Sequence, residues 1–433
     1  VEAEEEVRLA VVGHGGALVC ANRAIVVARE DDTHAEPRPD LDEQYLELLR
    51  AHPVPEADIA TALRFRPFVQ AFLDHWADEL VAAAPAVLGF TTGANQTVAS
   101  LALARRVKAR LPSVTVVFGG ANCQGEMGAA LHRAFSWVDV VVRGEGERVL
   151  PEFVKDVLAG NPIRPQPGLC YRDGDTPVAI DEAPGSMPMD EVPVPRYDEY
   201  FARLDGTSFG AALRPRVTIL YESARGCWWG AKSHCTFCGL NGSSMAFRSK
   251  SPARVVEELT ALARRYGHLN FQVVDNILDH RYFKELLPRL RDAGHDLSFF
   301  YELKANVTRE QMALLRQAGI DRIQPGLESL STPILKLMKK GVTAFQNVRF
   351  LKWAAEQGLQ VYWNVIYGFP GEPIEEYARM AEVVPSLVHL SPPSLSPLVL
   401  NRFSPYHDRA EQFGLEVLGP RAWHRFVYDA DEA

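Results

Sequence analysis

Cysteine is scarce in this chain: six among 433 residues, with no secretion signal at the start. Sparse thiols exclude a disulfide-stapled scaffold and point to a reducing cytoplasm. No apolar run approaches the roughly 20 residues that a bilayer crossing needs, so no membrane association is expected. Positive charge is in deficit. Lys and Arg number 46 against 55 Asp and Glu, a net charge of −9, which excludes a general nucleic-acid binder. No GxGxxG precedes an acidic residue at the proper distance, so a nicotinamide site is unsupported. A Ser/His/Asp arrangement for nucleophilic catalysis is also missing.

What remains is ordinary for a soluble globular protein, at 47% hydrophobic and 23% charged residues. The length suggests two or three domains with large cores. The first block, residues 1–160, alternates strands with helices. Strands are expected at Val7–Val12, Val87–Thr91, Val114–Phe118 and Val138–Val142, and helices at Phe65–Ala83, Thr97–Leu111, Gly125–Phe135 and Leu150–Leu158. The alternation predicts a parallel, doubly wound, Rossmann-like sheet. Ligands on such a sheet lie at the carboxyl ends of its strands. Three turns fall there: Thr91 to Asn95, Gly119 to Asn122, and Arg143 to Glu147. Each alone is compatible with plain turn chemistry.

Residues 161–213 read as a proline-rich linker with a short hairpin near Gly168–Ile180. The second block, 214–395, carries six strand candidates in βα series: Val217–Glu222, Leu269–Val274, Leu297–Leu303, Ile320–Pro325, Leu359–Ile366 and Val388–Leu390. Ser251-Pro252 opens a helix, Thr308-x-x-Gln311 is a capping box, and Gly294, Gly319 and Gly358 stop helices. The series predicts a partial (β/α)6 barrel, with its site at the carboxyl ends of the strands. Residues 396–433 would pack on the barrel and form an incomplete terminal piece.

Cys227, Cys235 and Cys238 lie just past the first of these strands. Three thiolates would leave one iron of a cubane cluster without a protein ligand, open to a substrate or cofactor. A zinc knuckle completed by His234 is the alternative, although zinc sites favour two short pairs and here there is one. The following strand ends bring Asp275 and Asn276, then Glu302, Lys304 and Asn306, then Gln324, Glu328 and Ser329, then Asn364 and Tyr367. Converging on one rim, such groups could hold a zwitterionic amino acid and a ribose. Cys20, Cys123 and Cys170 read as plain thiols, Trp228 and Trp229 as packing for the loop, and Lys336, Lys339 and Lys340 as a solvated helix face.

The segments CWWGAKSHCTFCGLNG, MAFRSKSP, VVDNILD, FYELKAN, IQPGLESLS, LMKKG, NVIYGFPGE and LNRFSPY resemble those of cobalamin-binding radical S-adenosylmethionine (radical SAM) enzymes, and more narrowly the radical SAM proteins that mature ribosomally made peptides. The resemblance runs from about Phe65 to Tyr406. It implies that Cys227, Cys235 and Cys238 ligate a 4Fe-4S cluster, the seven residues between the first two being a variant spacing. Phe237 would lie near the adenine, and Asp275 and Asn276 near the methionine amino group. Glu302, Lys304, Gln324, Glu328 and Asn364 would contact ribose or methionine. Cobalamin would be held by Thr91, Thr92, Asn95, Gly119, Gly120, Asn122, Gly144, Glu145, Gly146 and Glu147. There is no DxHxxG to supply a lower cobalt ligand, since His14 lacks the aspartate two residues before it. Residues 1–32 also depart from the usual opening of the family.

The implied function is radical C-methylation of an unactivated sp3 carbon in a ribosomal precursor peptide, with electrons from a small donor such as flavodoxin or ferredoxin. Two alternatives stay open: a radical SAM peptide cyclase or rearrangement enzyme without methyl transfer, and a non-enzymatic zinc or peptide-binding protein.

Overall fold

The computed structural model describes residues 9–12, 39–52, 54–93, 96–182, 187–242, 244–420 and 424. The chain divides into two compact units, residues 1–186 with 418–433, and residues 187–417.

The first unit is built on a six-stranded sheet: β1 (Leu9–Val12), β2 (Val87–Thr91), β3 (Thr115–Gly119), β4 (Val140–Val142), β5 (Leu169–Asp173) and β6 (Thr176–Ala179). Strands β1 to β4 run parallel. Their inner members are apolar and almost wholly buried, Val87, Leu88, Phe90, Val116, Phe118 and Val141 among them. Continuous apolar runs of this kind suit strands covered on both faces. The helices Val69–Ala83, Thr97–Arg110, Gly125–Ala134 and Gly146–Leu158 connect them.

Two features differ from the sequence expectation. The strand order is β1-β2-β3-β4-β5-β6. The described strands therefore advance in one direction, without the reversal of order that defines a doubly wound sheet; residues 13–38 lie outside the described ones. The hairpin expected in the linker is β5–β6, which adds antiparallel to β4 through Val141–Cys170 and Val142–Leu169. Its Leu169 and Cys170 are fully buried, so this stretch is sheet rather than connection.

The second unit holds a parallel wall in the order β7 (Ile219–Tyr221), β10 (Asn270–Val273), β11 (Ser298–Glu302), β12 (Ile320–Gln324) and β13 (Gln360–Val361). The fifth expected strand is broken. Its second half, β14 (Asn364–Tyr367), leaves β12, bridges to Glu328 and pairs in parallel with β15 (Ser394–Pro397). Six strand positions thus form a partial barrel, the last being Ser394–Pro397 rather than Val388–Leu390. Val388 is exposed while Leu390 anchors to the core. The polar SLSP segment carries little strand signal of its own, and the ladder to β14 recruits it.

Capping follows the sequence. Ser251 accepts the Arg254 N–H at the start of helix Pro252–Tyr266. Thr308 and Gln311 satisfy each other's backbone at the start of Arg309–Gln317, as Thr343 and Gln346 do at Ala344–Glu356. Such a cap contributes about 1 kcal/mol. The core beneath is Tyr221, Phe271, Phe299, Tyr301, Ile323 and Phe350, with their neighbours.

Candidate active site at the mouth of the partial barrel

The cysteine loop is tied at its base by β8 (Ala224–Arg225) pairing antiparallel with β9 (Arg248–Ser249). Gly226 sits between β8 and Cys227 at φ +80°, and a side chain there would collide with the Ala246 carbonyl. Only glycine fits both demands. The Cys227 N–H donates to Met245 O at 3.3 Å. Cys227 then caps a one-turn helix, Trp228–Lys232, its Sγ accepting the Gly230 N–H at 3.2 Å. This helix accounts for the long spacing between the first two cysteines.

Beyond it the loop is pinned to the barrel by Thr236. Its N–H donates to Met338 O at 3.1 Å and its hydroxyl to Leu337 O at 3.0 Å, while its carbonyl accepts the Tyr406 N–H at 3.0 Å. The two tryptophans also hold the loop, as expected. Trp228 Nε1 donates to Leu278 O at 3.0 Å and Trp229 Nε1 to Lys339 O at 3.1 Å. Gly341 leaves room for the Trp229 ring, which any Cβ there would strike.

The Cys238 N–H donates to Cys235 O at 3.2 Å, closing the turn between the last two cysteines. Burial raises Cys235 and pushes Cys238 up to about 11; Cys227 adds to both, while Lys340 pulls both down. His234 Nε2 hydrogen-bonds the Cys238 carbonyl at 2.8 Å. Among the described residues no three His, Cys, Asp or Glu groups gather closely enough to surround a single ion. A cubane is wider than one ion, so three thiols on one pinned loop, with His234 engaged by the Cys238 carbonyl, fit it better than they fit zinc with His234.

Charge converges behind the loop, and the sequence missed part of it. Lys340 does not belong to a solvated face. Its Nζ lies 3.3 Å from Glu328 Oε1 and 5.8 Å from the centre of the Phe237 ring. Burial opposes its charge, but Glu328 and the Cys235 thiol offset that and raise its pKa. Lys336 and Lys339 are exposed, as expected. The signal that separates Lys340 is backbone conformation: Lys339 adopts φ +55°, which turns the chain inward after the helix. Glu302 is pushed up to about 7, first by burial and then by Glu328, with Lys340 acting against both.

Several residues expected to contact S-adenosylmethionine have partners within the chain. Asp275 is almost fully buried, and its two oxygens accept the Ser223 N–H at 2.7 Å and the Ser223 hydroxyl. Its carboxyl fastens the end of β10 to the end of β7. Lys304 donates to the Lys340 carbonyl and stacks on Trp229, beneath the loop. Asn276 donates to Asn241 at 2.7 Å, on the cysteine loop itself. Phe237 meets Phe369 edge-on at 5.9 Å. Gln324 ends β12 half-buried, and Asn364 opens β14 exposed.

In the first unit Thr92 is buried, and its N–H and hydroxyl both donate to Gly119 O, at 2.7 and 2.8 Å. Asn122 Nδ2 donates to Gly93 O at 3.0 Å and Thr97 Oγ1 at 2.8 Å. These side chains hold the turns to each other. The Gly120 carbonyl accepts the Cys123 N–H at 2.9 Å. Thr91 ends β2, Glu145 precedes helix Gly146–Leu158, and Glu147 lies in its first turn, after Gly144. Asn95, His14 and Cys20 lie outside the described residues. No helix among the described residues is long and apolar enough to cross a membrane.

Residues 221–384 match the Radical SAM superfamily. An uncharacterized methyltransferase of Pyrococcus horikoshii is 29% identical over 304 residues, 67% of this chain and 62% of that protein. The chain thus spans less than two thirds of that curated relative. The radical S-adenosylmethionine methyltransferase TsrM from Kitasatospora setae, solved with cobalamin and a 4Fe-4S cluster, superposes with a TM-score of 0.63 at 19% identity. The match covers 79% of this chain and 68% of TsrM. The cobalamin-dependent S-adenosylmethionine radical enzyme OxsB, solved with aqua-cobalamin, gives 0.61 at 15% identity, over 83% of this chain and 50% of OxsB. At such identities the likeness is one of fold, and it bears out the expected architecture of a Rossmann-like block followed by a partial barrel.

Proposed function

We propose that this chain, whose residues 221–384 are a radical SAM domain with the cluster and S-adenosylmethionine as its cofactors, is a cobalamin-dependent C-methyltransferase acting on a ribosomally made peptide. The observation that carries the radical part is the trio Cys227, Cys235 and Cys238 on one pinned loop at the mouth of a parallel barrel. Support for cobalamin is the shared fold with TsrM and OxsB. Support for methyl transfer is the methyltransferase relative. Support for a peptide substrate is the set of sequence motifs alone.

When bound, the cluster, S-adenosylmethionine and cobalamin would supply one-electron cleavage of a sulfonium bond, hydrogen abstraction and a transferable methyl group. The chain's own part is to hold and to exclude. Thr236 and the two tryptophans fix the loop that presents the thiols. Glu302, Gln324 and Glu328 offer hydrogen bonds and charge at the strand ends. The barrel interior beneath, with Tyr221, Phe299 and Tyr301 buried, keeps water from the reacting end. Electrons would come from a flavodoxin- or ferredoxin-type donor in the cytoplasm.

The test is anaerobic reconstitution with iron and sulfide, then incubation with S-adenosylmethionine, cobalamin, a low-potential reductant and a candidate precursor peptide. The expected products are a peptide heavier by one methylene, S-adenosylhomocysteine and 5′-deoxyadenosine. Deoxyadenosine with a modified but unmethylated peptide would move the assignment to cyclisation or rearrangement. A protein that takes up zinc and no iron would overturn both.

A further inference from the structure

Lys304 follows β11 and is buried. Its amino group donates to the Lys340 carbonyl and lies 3.9 Å from the centre of the Trp229 ring. Among the described residues it forms no ion pair with a carboxylate, whereas its neighbour Lys340 has Glu328. A buried ammonium group without an anion is uncommon, because desolvation opposes the charge strongly. Burial and Lys340 push Lys304 down to about 8; the groups that act to keep its proton are Cys235 and Cys227.

The position of this charge is tightly fixed. Trp229 Nε1 donates to Lys339 O while Lys304 donates to Lys340 O. Two donors from different elements thus grip adjacent carbonyls of one turn. The ring of the first also lies under the charge of the second, a cation–π arrangement.

We infer that Lys304 is a positioning residue that sets a fixed positive charge under the cysteine loop and raises the reduction potential of the cluster held there. The inference rests on the cysteines being cluster ligands. Each electron entering a thiolate-bound cluster adds one unit of negative charge and breaks no bond. A fixed cation held against Trp229, two residues past Cys227, in a low-dielectric setting favours that added charge. Lys304 thereby acts on the cluster rather than on ribose or methionine.

The test is a redox titration of the reconstituted full chain, followed by electron paramagnetic resonance, with no peptide or cobalamin present. Wild type is compared with Lys304→Gln, Lys304→Met, Lys304→Arg and the exposed control Lys336→Gln. Gln keeps the hydrogen bond without the charge, and Arg keeps both. The expected result is a more negative midpoint for Gln and Met, with Arg and the control at the wild-type value. A Gln midpoint equal to wild type overturns the inference, and Gln decides the matter even if Met fails to fold. Iron-loaded wild type with an unmoved Gln variant sinks this inference alone. Iron-free wild type sinks the cluster assignment and this inference with it.

Discussion

Lys340 Nζ stands 3.3 Å from Glu328 Oε1 in the barrel mouth, and neither side chain exposes more than 14% of its surface. Glu328 itself adopts φ +60° and bridges to Val365 of β14, so a strained backbone presents the carboxylate to the lysine. The pair joins the turn after the helix Thr332–Leu337 to the point where the barrel wall changes partner. Breaking one half of a buried pair costs more than the pair contributes, because the remaining charge is left unmatched. Lys340→Met is expected to lower stability by about 3 kcal/mol, and adding Glu328→Gln to recover part of the loss. Urea unfolding at pH 8 reads both. Equal stability of wild type and Lys340→Met would mean that the pair is solvated.

Glu302 gives a pH dependence of defined sign. Its carboxyl is pushed from the ordinary 4.5 up to about 7, by burial first and by Glu328 second. Between those values the folded chain keeps a proton that the unfolded chain releases. Stability therefore falls as pH rises through that window, and the penalty is fully present above pH 7. Glu302→Gln removes it. The variant should match wild type below about pH 4 and exceed it by about 2 kcal/mol at pH 8. Asp275, also pushed up to about 7 by burial, remains in both proteins, so the difference between the two curves isolates Glu302. A constant offset at all pH values would contradict the assignment.

Much of this architecture is legible in the sequence because local rules and burial agree. The Thr308 and Gln311 box forms as written, and the apolar runs Val87–Thr91 and Ile320–Gln324 are strands at the expected places. What escapes is direction. The residues after a strand end are visible as polar, but not whether they turn toward the mouth or back into the wall. Val274 is half exposed while Asp275, one residue on, is buried against Ser223. Lys339 and Lys340 differ in the same way, through one backbone torsion. β15 escapes for another reason: Ser394–Pro397 has no strand character apart from its partner Asn364–Tyr367. The hydrogen bonds of Thr92 and Asn122 to partners 25 to 31 residues away escape as well, because residue type alone does not name a tertiary partner.

Gly226 tests whether loop geometry, beyond the thiols themselves, governs cluster binding. Its φ of +80° and the adjacent Ala246 carbonyl leave no place for a methyl group. Gly226→Ala is expected to shift the β8 to Cys227 connection and to lower iron and labile sulfide per chain by more than half after reconstitution. The barrel beneath has its own core, so far-ultraviolet circular dichroism should stay unchanged. Full iron content in the variant would show that the loop can rebuild around a displaced Cys227.

A second buried ion pair sits beside the base of the cysteine loop. Lys250 Nζ lies 2.6 Å from Glu258 Oε2, and both side chains are 1% exposed. The Tyr221 hydroxyl donates to the same carboxylate oxygen at 2.8 Å, and the Lys250 ammonium lies 4.9 Å from the Tyr221 ring centre. Lys250 immediately follows β9, the strand that closes the base of the cysteine loop. Its N–H also donates to Ser223 O at 2.8 Å. The pair thus links the loop base to the first turns of the helix Pro252–Tyr266. Lys250→Met should cost about 3 kcal/mol, since it removes one of the two cations beside a buried carboxylate and leaves Arg254 as the other. A Lys250→Met/Glu258→Leu double variant removes both charges and should recover most of that loss, as apolar replacements of buried pairs commonly do. Thermal unfolding of the cluster-free chain measures both. Single and double variants of equal stability would mean that Tyr221 and Arg254, the latter 2.6 Å from Glu258 Oε1, neutralise the carboxylate without Lys250.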